Sequence, residues 1–159
     1  MKSDQELRKQ LIKLLEGDQS YRNMEKALRE LPFELLGKKP DGFPYSIWQL
    51  VVHIHITQWD IIEFSKSENH KSPKWPEEYW KPETGPQDEK EWNLMLDKIE
   101  HYQQELKEMV LNEANDLLEP FSWGDGQNLF REVLVLAEHN AYHTGQIFLI
   151  KKLLMTGNF

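Results

Sequence analysis

The sequence predicts an all-α protein folded as a four-helix bundle, with a long connection between the second and third helices. Apolar residues recur every three or four positions along four stretches, which is typical of one buried helix face. Alternation of Val, Ile or Thr with polar residues, the pattern of a strand, extends nowhere for long. The length of 159 residues suits a single compact domain, which we expect to span positions 1–159.

The first helical stretch is expected to bend or break near Gly17 and Asp18 and to end before Pro32, since proline cannot continue a helix. The apolar residues on both sides of this break keep helical spacing: Leu7, Leu11, Leu14 and Leu15, then Tyr21, Met24, Leu28 and Leu31. Residues 37–46, rich in Gly and Pro, are predicted to form a loop.

The second helix is predicted over about residues 47–65. Ser46 can cap it, because a serine hydroxyl accepts a hydrogen bond from a free N–H of the first turn, and Gln49 occupies the capping-box position. Residues 67–87 contain four prolines together with Trp75, Tyr79 and Trp80. A connection of this length is unusual in a compact domain. We expect its aromatic residues to anchor it to the bundle; the alternative is a lid that lines a pocket.

The third helix is expected to begin at Asp88 or Glu89 and to end near Asn112, with a fourth over about residues 127–155. Each has an apolar stripe at helical spacing. The residues of the two stripes are Leu94, Leu96, Ile99, Tyr102, Leu106, Met109 and Val110, and Leu129, Val133, Leu136, Ile147, Ile150 and Leu154.

The composition argues against several classes of function. The formal net charge is −8, and no Lys/Arg-rich stretch offsets it, so we expect no nucleic-acid partner. No apolar run approaches the roughly 20 residues of a membrane span, and the polar N-terminus lacks a signal-peptide pattern. We therefore expect a cytoplasmic protein. The absence of cysteine excludes disulfides, thiolate ligands and a cysteine nucleophile.

Two histidines of the last helix, His139 and His143, are four residues apart. Positions i and i+4 lie one turn apart on one helix face, so the two imidazoles can bind one metal ion. His143 follows the apolar stripe and His139 lies beside it. The alternative is a pair of hydrogen-bonded or partly exposed histidines. A zinc-protease helix, H-E-x-x-H, is excluded because Asn140 replaces the glutamate that serves as general base.

A third ligand has to come from another helix, and the second helix offers His53 and His55. Two residues apart, they point in different directions, on either side of an apolar stripe. His53 shares its side with the polar residues Thr57 and Asp60. Because metal ligands need polar neighbours to orient them, this favours His53, although periodicity alone leaves His55 open. We expect the remaining two histidines, His70 and His101, to be hydrogen-bonded or exposed to solvent.

With these residues in view, the chain resembles the DinB (YfiT-like) family of four-helix proteins over most of its length. The stretches that carry the resemblance are LIKLLEGDQSYRNMEKALRELP, YSIWQLVVHIHITQWDIIEF and GDGQNLFREVLVLAEHNAYHTGQI. A Ser-Ile-x-x-Leu-x-x-His run in the family's second helix ends on a metal ligand, here His53. An H-x-x-x-H pair in its last helix, here His139 and His143, completes the site. The resemblance assigns no role to His55.

The resemblance implies a divalent metal ion, usually nickel or zinc, and often a homodimer. Characterised relatives include S-transferases that use the thiols mycothiol or bacillithiol, and others are described as metal-dependent hydrolases. It therefore implies a metal-dependent enzyme acting on a small-molecule substrate. The alternative is a non-catalytic binding or stress-response protein whose bundle is braced by the ion.

Three imidazoles leave a coordination position open, which is typical of a catalytic site. That position can hold water for hydrolysis or the thiolate of a small cosubstrate, since the chain has no cysteine. Either reaction needs a proton acceptor or an orienting group. The candidates are Asp60, seven residues after His53, and Gln146, three residues after His143, whereas Glu138 is expected to face away. Tyr142 and the aromatic residues of the connection can line an apolar pocket, although we expect them chiefly to pack.

Overall fold

The computed structural model describes residues 2–17, 19 and 23–156. Within these residues it has five α-helices and no strand, so the all-α prediction is confirmed. The helices are α1 (Lys2–Glu16), α2 (Met24–Arg29), α3 (Ile47–Lys66), α4 (Glu89–Leu111) and α5 (Leu129–Thr156). The four long helices, α1, α3, α4 and α5, form the bundle, and α3 packs against both α4 and α5. No helix in the described ranges combines the length and apolar character needed to cross a membrane.

The predicted break in the first helical stretch is confirmed, because α1 and α2 are separate helices. Gly17 directly follows α1 with a φ of 71°, a left-handed conformation that glycine adopts without steric cost. Asp18 and Tyr21, which also entered this prediction, lie outside the described residues. Asn23 caps α2 through its side-chain oxygen, and α2 ends before Pro32 as expected.

The other helix limits agree with prediction to within two residues, and the caps explain the differences. Ser46 caps α3 and forms the complete capping box with Gln49. Asp88 is the N-cap of α4, its side chain accepting a hydrogen bond from the N–H of the third residue along. The last helix begins at Leu129 rather than near Gln127. The side chain of Asn128 accepts from the N–H of Arg131 and so caps α5 there.

The core consists of two apolar clusters with a polar layer between them. Along α3 the first cluster ends at Ile54 and the second begins at Ile61. Along α5 the second cluster ends at Leu136 and the first resumes at Ile147. Polar side chains lie buried between these positions on both helices: Gln58 on α3, and Asn140, His143 and Thr144 on α5. The bundle is thus held at its two ends by apolar packing and has a polar middle.

The connection between α3 and α4 is bound to the bundle rather than extended into solvent. The Ser46 hydroxyl donates to the Thr84 carbonyl at 2.5 Å, and the Gln49 amide donates to the Lys81 carbonyl at 3.0 Å. The connection also lies close to the loop of residues 37–46, which precedes α3. A Cβ added to Gly85 would lie 3.1 Å from the Cα of Gly37. The prediction of an anchored connection is therefore confirmed.

We predict that replacing Ser46 with alanine destabilises the protein by about 1–2 kcal/mol, because the substitution removes both the α3 cap and the bond to Thr84. The free energy of unfolding, measured by urea denaturation, tests this. Ser122→Ala, at an exposed serine before α5, is the control, and we expect it to change stability by less than about 0.5 kcal/mol. Equal effects of the two substitutions would contradict the assignment.

Candidate metal centre

Three imidazoles from two helices converge in the polar layer of the bundle. His53 comes from α3, and His139 and His143 come from successive turns of α5. One ring nitrogen of each lies within 4.8 Å of those of the other two. The Nε2 atoms of His53 and His139 are 3.0 Å apart. The three histidines expected from the sequence to share one site are thus together.

His53 is oriented by a backbone carbonyl. Its Nδ1 lies 3.1 Å from the carbonyl oxygen of Tyr79, in the connection between α3 and α4. A carbonyl can only accept a hydrogen bond, so Nδ1 carries the proton and Nε2 presents a lone pair. A second hydrogen bond of this kind is what normally fixes the tautomer of a metal-binding histidine.

His143 is oriented in the same way by a side chain of its own helix. Its Nδ1 lies 2.7 Å from Oε1 of Gln146, which accepts the hydrogen bond and leaves the lone pair on Nε2. The sequence had suggested Gln146 as a residue that could orient a bound water. In the structure its side-chain oxygen instead accepts the hydrogen bond from His143, and Gln146 also lines the adjoining cavity.

His139 is the least satisfied of the three. Its Nδ1 is buried and has no hydrogen-bond partner, and its Nε2 faces the lone pair of His53. An unpartnered buried polar atom costs about 1–3 kcal/mol. Three neutral imidazoles, two of them with an Nε2 lone pair directed inward, form a donor set that fits a divalent transition-metal ion.

Burial keeps these imidazoles uncharged. It lowers the pKa of His53 to about 4, and the neighbouring His143 adds to the effect. It lowers the pKa of His139 to about 3, assisted by the repulsion of His143 and His53. The pKa of His143 is also lowered by burial. At neutral pH all three present the neutral form, which is the form that binds a cation.

A cavity of about 760 Å³ adjoins the three histidines, and its walls are mainly aromatic: Tyr45, Trp75, Tyr79, Trp80 and Tyr142. Trp80 stacks on His53, with ring centroids 4.0 Å apart, and on Tyr45, at 3.9 Å. Tyr79 is buried, whereas Trp75 and Tyr142 are 66% and 64% exposed. The aromatic residues of the connection thus line a pocket as well as anchoring the chain, and the expectation that they chiefly pack was incomplete.

Asp60 also lines this cavity and accepts two hydrogen bonds. The hydroxyl of Tyr79 donates to its Oδ2 at 2.5 Å, and Nε2 of His70 donates to its Oδ1 at 2.8 Å. Burial and the adjacent Asp60 raise the pKa of Tyr79, so its hydroxyl remains a donor. The prediction of a hydrogen-bonded or exposed His70 is confirmed, and His101 is exposed as expected.

His55 lies away from the three-histidine site. It lines a separate cavity of about 530 Å³ with Trp48 and Val52, next to α4. Burial lowers its pKa to about 4, so it too is neutral at pH 7. Glu138 is exposed, in agreement with the expectation that it faces away.

Glu132 is a buried carboxylate that was not expected from the sequence. It lies two turns before His139 on α5, is 4% exposed and pairs with Nη1 of Arg131 at 2.5 Å. Burial raises its pKa, with a further contribution from the charge of Asp60, although Arg131 acts in the opposite direction. The sequence offered one indication of this position: Glu132 precedes His139 by seven residues, and positions i and i+7 share a helix face.

Comparison with known proteins matches the chain to a protein family. The family model described as the DinB superfamily matches residues 16–147, a range that includes all three histidines of the site. No curated protein and no solved structure matches the chain.

We predict that Glu132→Gln increases stability at pH 7.5 relative to wild type and that the gain disappears toward pH 4. The raised pKa means that the folded chain holds this proton more tightly than the unfolded chain, so ionisation of Glu132 destabilises the fold. That cost is absent below the unfolded pKa, near 4.3, and develops as the pH rises through the folded pKa. Urea denaturation at both pH values measures it.

The control for this prediction is Glu138→Gln, which removes an exposed carboxylate from the same helix. We expect it to leave the free energy of unfolding unchanged at both pH values. A Glu132→Gln protein that is less stable than wild type at pH 7.5 would show that the pair with Arg131 outweighs the cost of burial.

Proposed function

Because the chain belongs to the DinB superfamily, and its three histidines meet beside an aromatic cavity, we propose that it is a metal-dependent thiol S-transferase. The observation that carries the proposal is the convergence of three neutral imidazoles, two of them oriented by hydrogen bonds, with one side of the cluster facing the cavity. Three protein ligands are the usual number in a catalytic metal site, where a fourth position is left for water or substrate.

His53, His139 and His143 would hold the ion, which the resemblance to the family suggests is nickel or zinc. When bound, a divalent cation supplies Lewis acidity that lowers the pKa of a thiol or water at its open position. The chain's own part is to keep the three imidazoles neutral and to fix the Nε2 lone pairs of His53 and His143. Burial does the first, and the bonds to Tyr79 and Gln146 do the second.

We favour a transferase over a hydrolase because the cavity is large enough for two substrates. Its volume of about 760 Å³ lies within the range of small-molecule pockets and leaves room for a thiol and an electrophile together. The chain has no cysteine, so the sulfur would come from a small-molecule thiol, which the resemblance to the family suggests is of the bacillithiol or mycothiol type. In the reaction, the thiol sulfur forms a bond to a carbon of the electrophile, and the bond between that carbon and its leaving group breaks. A base takes the proton of the thiol.

Two polar residues of the cavity are the candidates for assisting this chemistry. Asp60 has carboxylate lone pairs beyond the two hydrogen bonds it already accepts, so it is a candidate acceptor for the thiol proton. Gln146 cannot accept a proton from a thiol, but its amide N–H groups can orient a bound molecule while its oxygen holds His143. Trp75 and Tyr142, both exposed beside the cavity, offer apolar contact to the electrophile.

We predict that protein purified without an affinity tag carries about one divalent ion per chain, as expected for a single three-histidine site. The His139→Ala/His143→Ala double variant should lose at least nine-tenths of it, because only one ligand remains. Elemental analysis by mass spectrometry measures the content and identifies the metal. His101→Ala, which removes an exposed histidine of α4, is the control. Equally low metal content in wild type and double variant would refute the site.

We predict that the metal-loaded protein accelerates the reaction of 1-chloro-2,4-dinitrobenzene with bacillithiol or mycothiol, followed as thioether formation. The double variant should show no acceleration. A p-nitrophenyl ester assayed without thiol tests the hydrolase alternative, in which water takes the place of the thiol. Ester turnover without thioether formation would favour the hydrolase. Inactivity in both assays, with metal bound, would favour a non-catalytic binding protein.

A further inference from the structure

One face of α3 holds the connection along much of its length. Four side chains bond to it: Ser46 to Thr84, Gln49 to Lys81, His53 to Tyr79, and Asp60 to both Tyr79 and His70. Their spacings of three, four and seven residues place them on the same side of the helix. His53 therefore makes two kinds of contact. Its Nδ1 binds the connection, and its Nε2 faces the other two histidines.

Tyr79 joins His53 to Asp60 through the two ends of one residue. Its carbonyl accepts from Nδ1 of His53, and its hydroxyl donates to Oδ2 of Asp60. It ends the 3₁₀ turn Glu77–Tyr79, where its own N–H bonds to the carbonyl of Pro76 at 3.2 Å. The residue is 8% exposed, so most of its surface is shielded from bulk water.

Asp60 is itself fixed from a second direction. Its other oxygen accepts from Nε2 of His70 at 2.8 Å, and the His70 ring packs edge-on against Trp59, with centroids 5.1 Å apart. The side chains of His70 and Asp60 are only 9% and 14% exposed. With both oxygens engaged, the carboxylate is a rigid acceptor for the Tyr79 hydroxyl.

We propose that Asp60 is a positioning residue for His53. Through the Tyr79 hydroxyl it fixes the peptide whose carbonyl accepts the Nδ1 proton, and so it keeps His53 in the tautomer that directs the Nε2 lone pair at His139 and His143. Without that carbonyl, a neutral imidazole distributes its proton between the two nitrogens, and an Nε2–H cannot be a ligand. The consequence for metal affinity rests on the proposed function; the consequence for the tautomer does not.

The first test reads the tautomer in metal-free protein. Long-range ¹H–¹⁵N spectra of the His53 ring should show a single Nδ1-protonated form in wild type. Tyr79→Phe removes only the hydroxyl and Asp60→Ala removes its acceptor, so both variants should show His53 shifts averaged toward the Nε2-protonated form. Asp60→Asn keeps an acceptor oxygen and should retain most of the wild-type signature. Asp41→Ala, at an exposed residue of the earlier loop, is the matched control.

The second test measures affinity for Zn²⁺ by competition with a chelator. We expect Tyr79→Phe and Asp60→Ala each to weaken binding by about 10-fold, the usual effect of losing a hydrogen bond that orients a ligand. The double variant should bind no more weakly than the weaker single variant, because the two groups act in one chain of bonds. Asp60→Asn should bind within about threefold of wild type, because its amide oxygen can still accept the hydrogen bond from Tyr79.

An unchanged His53 tautomer in folded Tyr79→Phe protein would overturn the proposal, and so would additive losses of affinity in the double variant. If Asp60→Ala does not fold, Tyr79→Phe decides alone, since it keeps the ring and the carbonyl. A wild-type protein that binds no metal would refute the proposed function but leave the tautomer experiment as a test of the positioning role.

Discussion

The three histidines meet in the interior of the bundle because hydrogen bonds to protein groups orient two of them. An imidazole has two polar atoms, and each that is buried without a partner costs about 1–3 kcal/mol. The outer nitrogens of His53 and His143 donate to the Tyr79 carbonyl and to Gln146, so their inner nitrogens point at one another and at His139. The connection supplies one of these partners, the Tyr79 carbonyl, and it also forms part of the cavity wall.

The bundle accommodates such a polar centre because its apolar packing is divided. One cluster joins α2, the start of α3, the first half of α4 and the second half of α5, and the other joins α1, the end of α3, the second half of α4 and the first half of α5. Each fully buried leucine or isoleucine contributes about 1.5–3 kcal/mol, so two such clusters can offset buried polar groups such as Gln58 and Thr144 between them. The polar layer lies where α3 and α5 face each other, and ligands from both helices can meet there.

Local features of the site were predictable from the sequence, and features that depend on the path of the connection were not. The pair His139 and His143 follows from spacing on one helix. Choosing His53 over His55 needed more, since both flank the apolar stripe; the polar strip through Asp60 pointed to the correct face. No local pattern links Tyr79 to His53 across 26 positions, because the contact exists only once the connection has folded back along α3. The fold itself needed only the helical periodicity and the caps.

The connection also determines how a ligand reaches the site. The imidazoles of His53 and His143 turn their outer nitrogens toward protein groups, and the bundle closes the cluster from the side of the core. The open side faces the cavity, and Trp75 and Trp80 of the connection form part of the cavity wall. Connections between helices accept changes of sequence more readily than packed helix faces do. We therefore expect the helices to define the metal chemistry and the connection to define which molecules reach it.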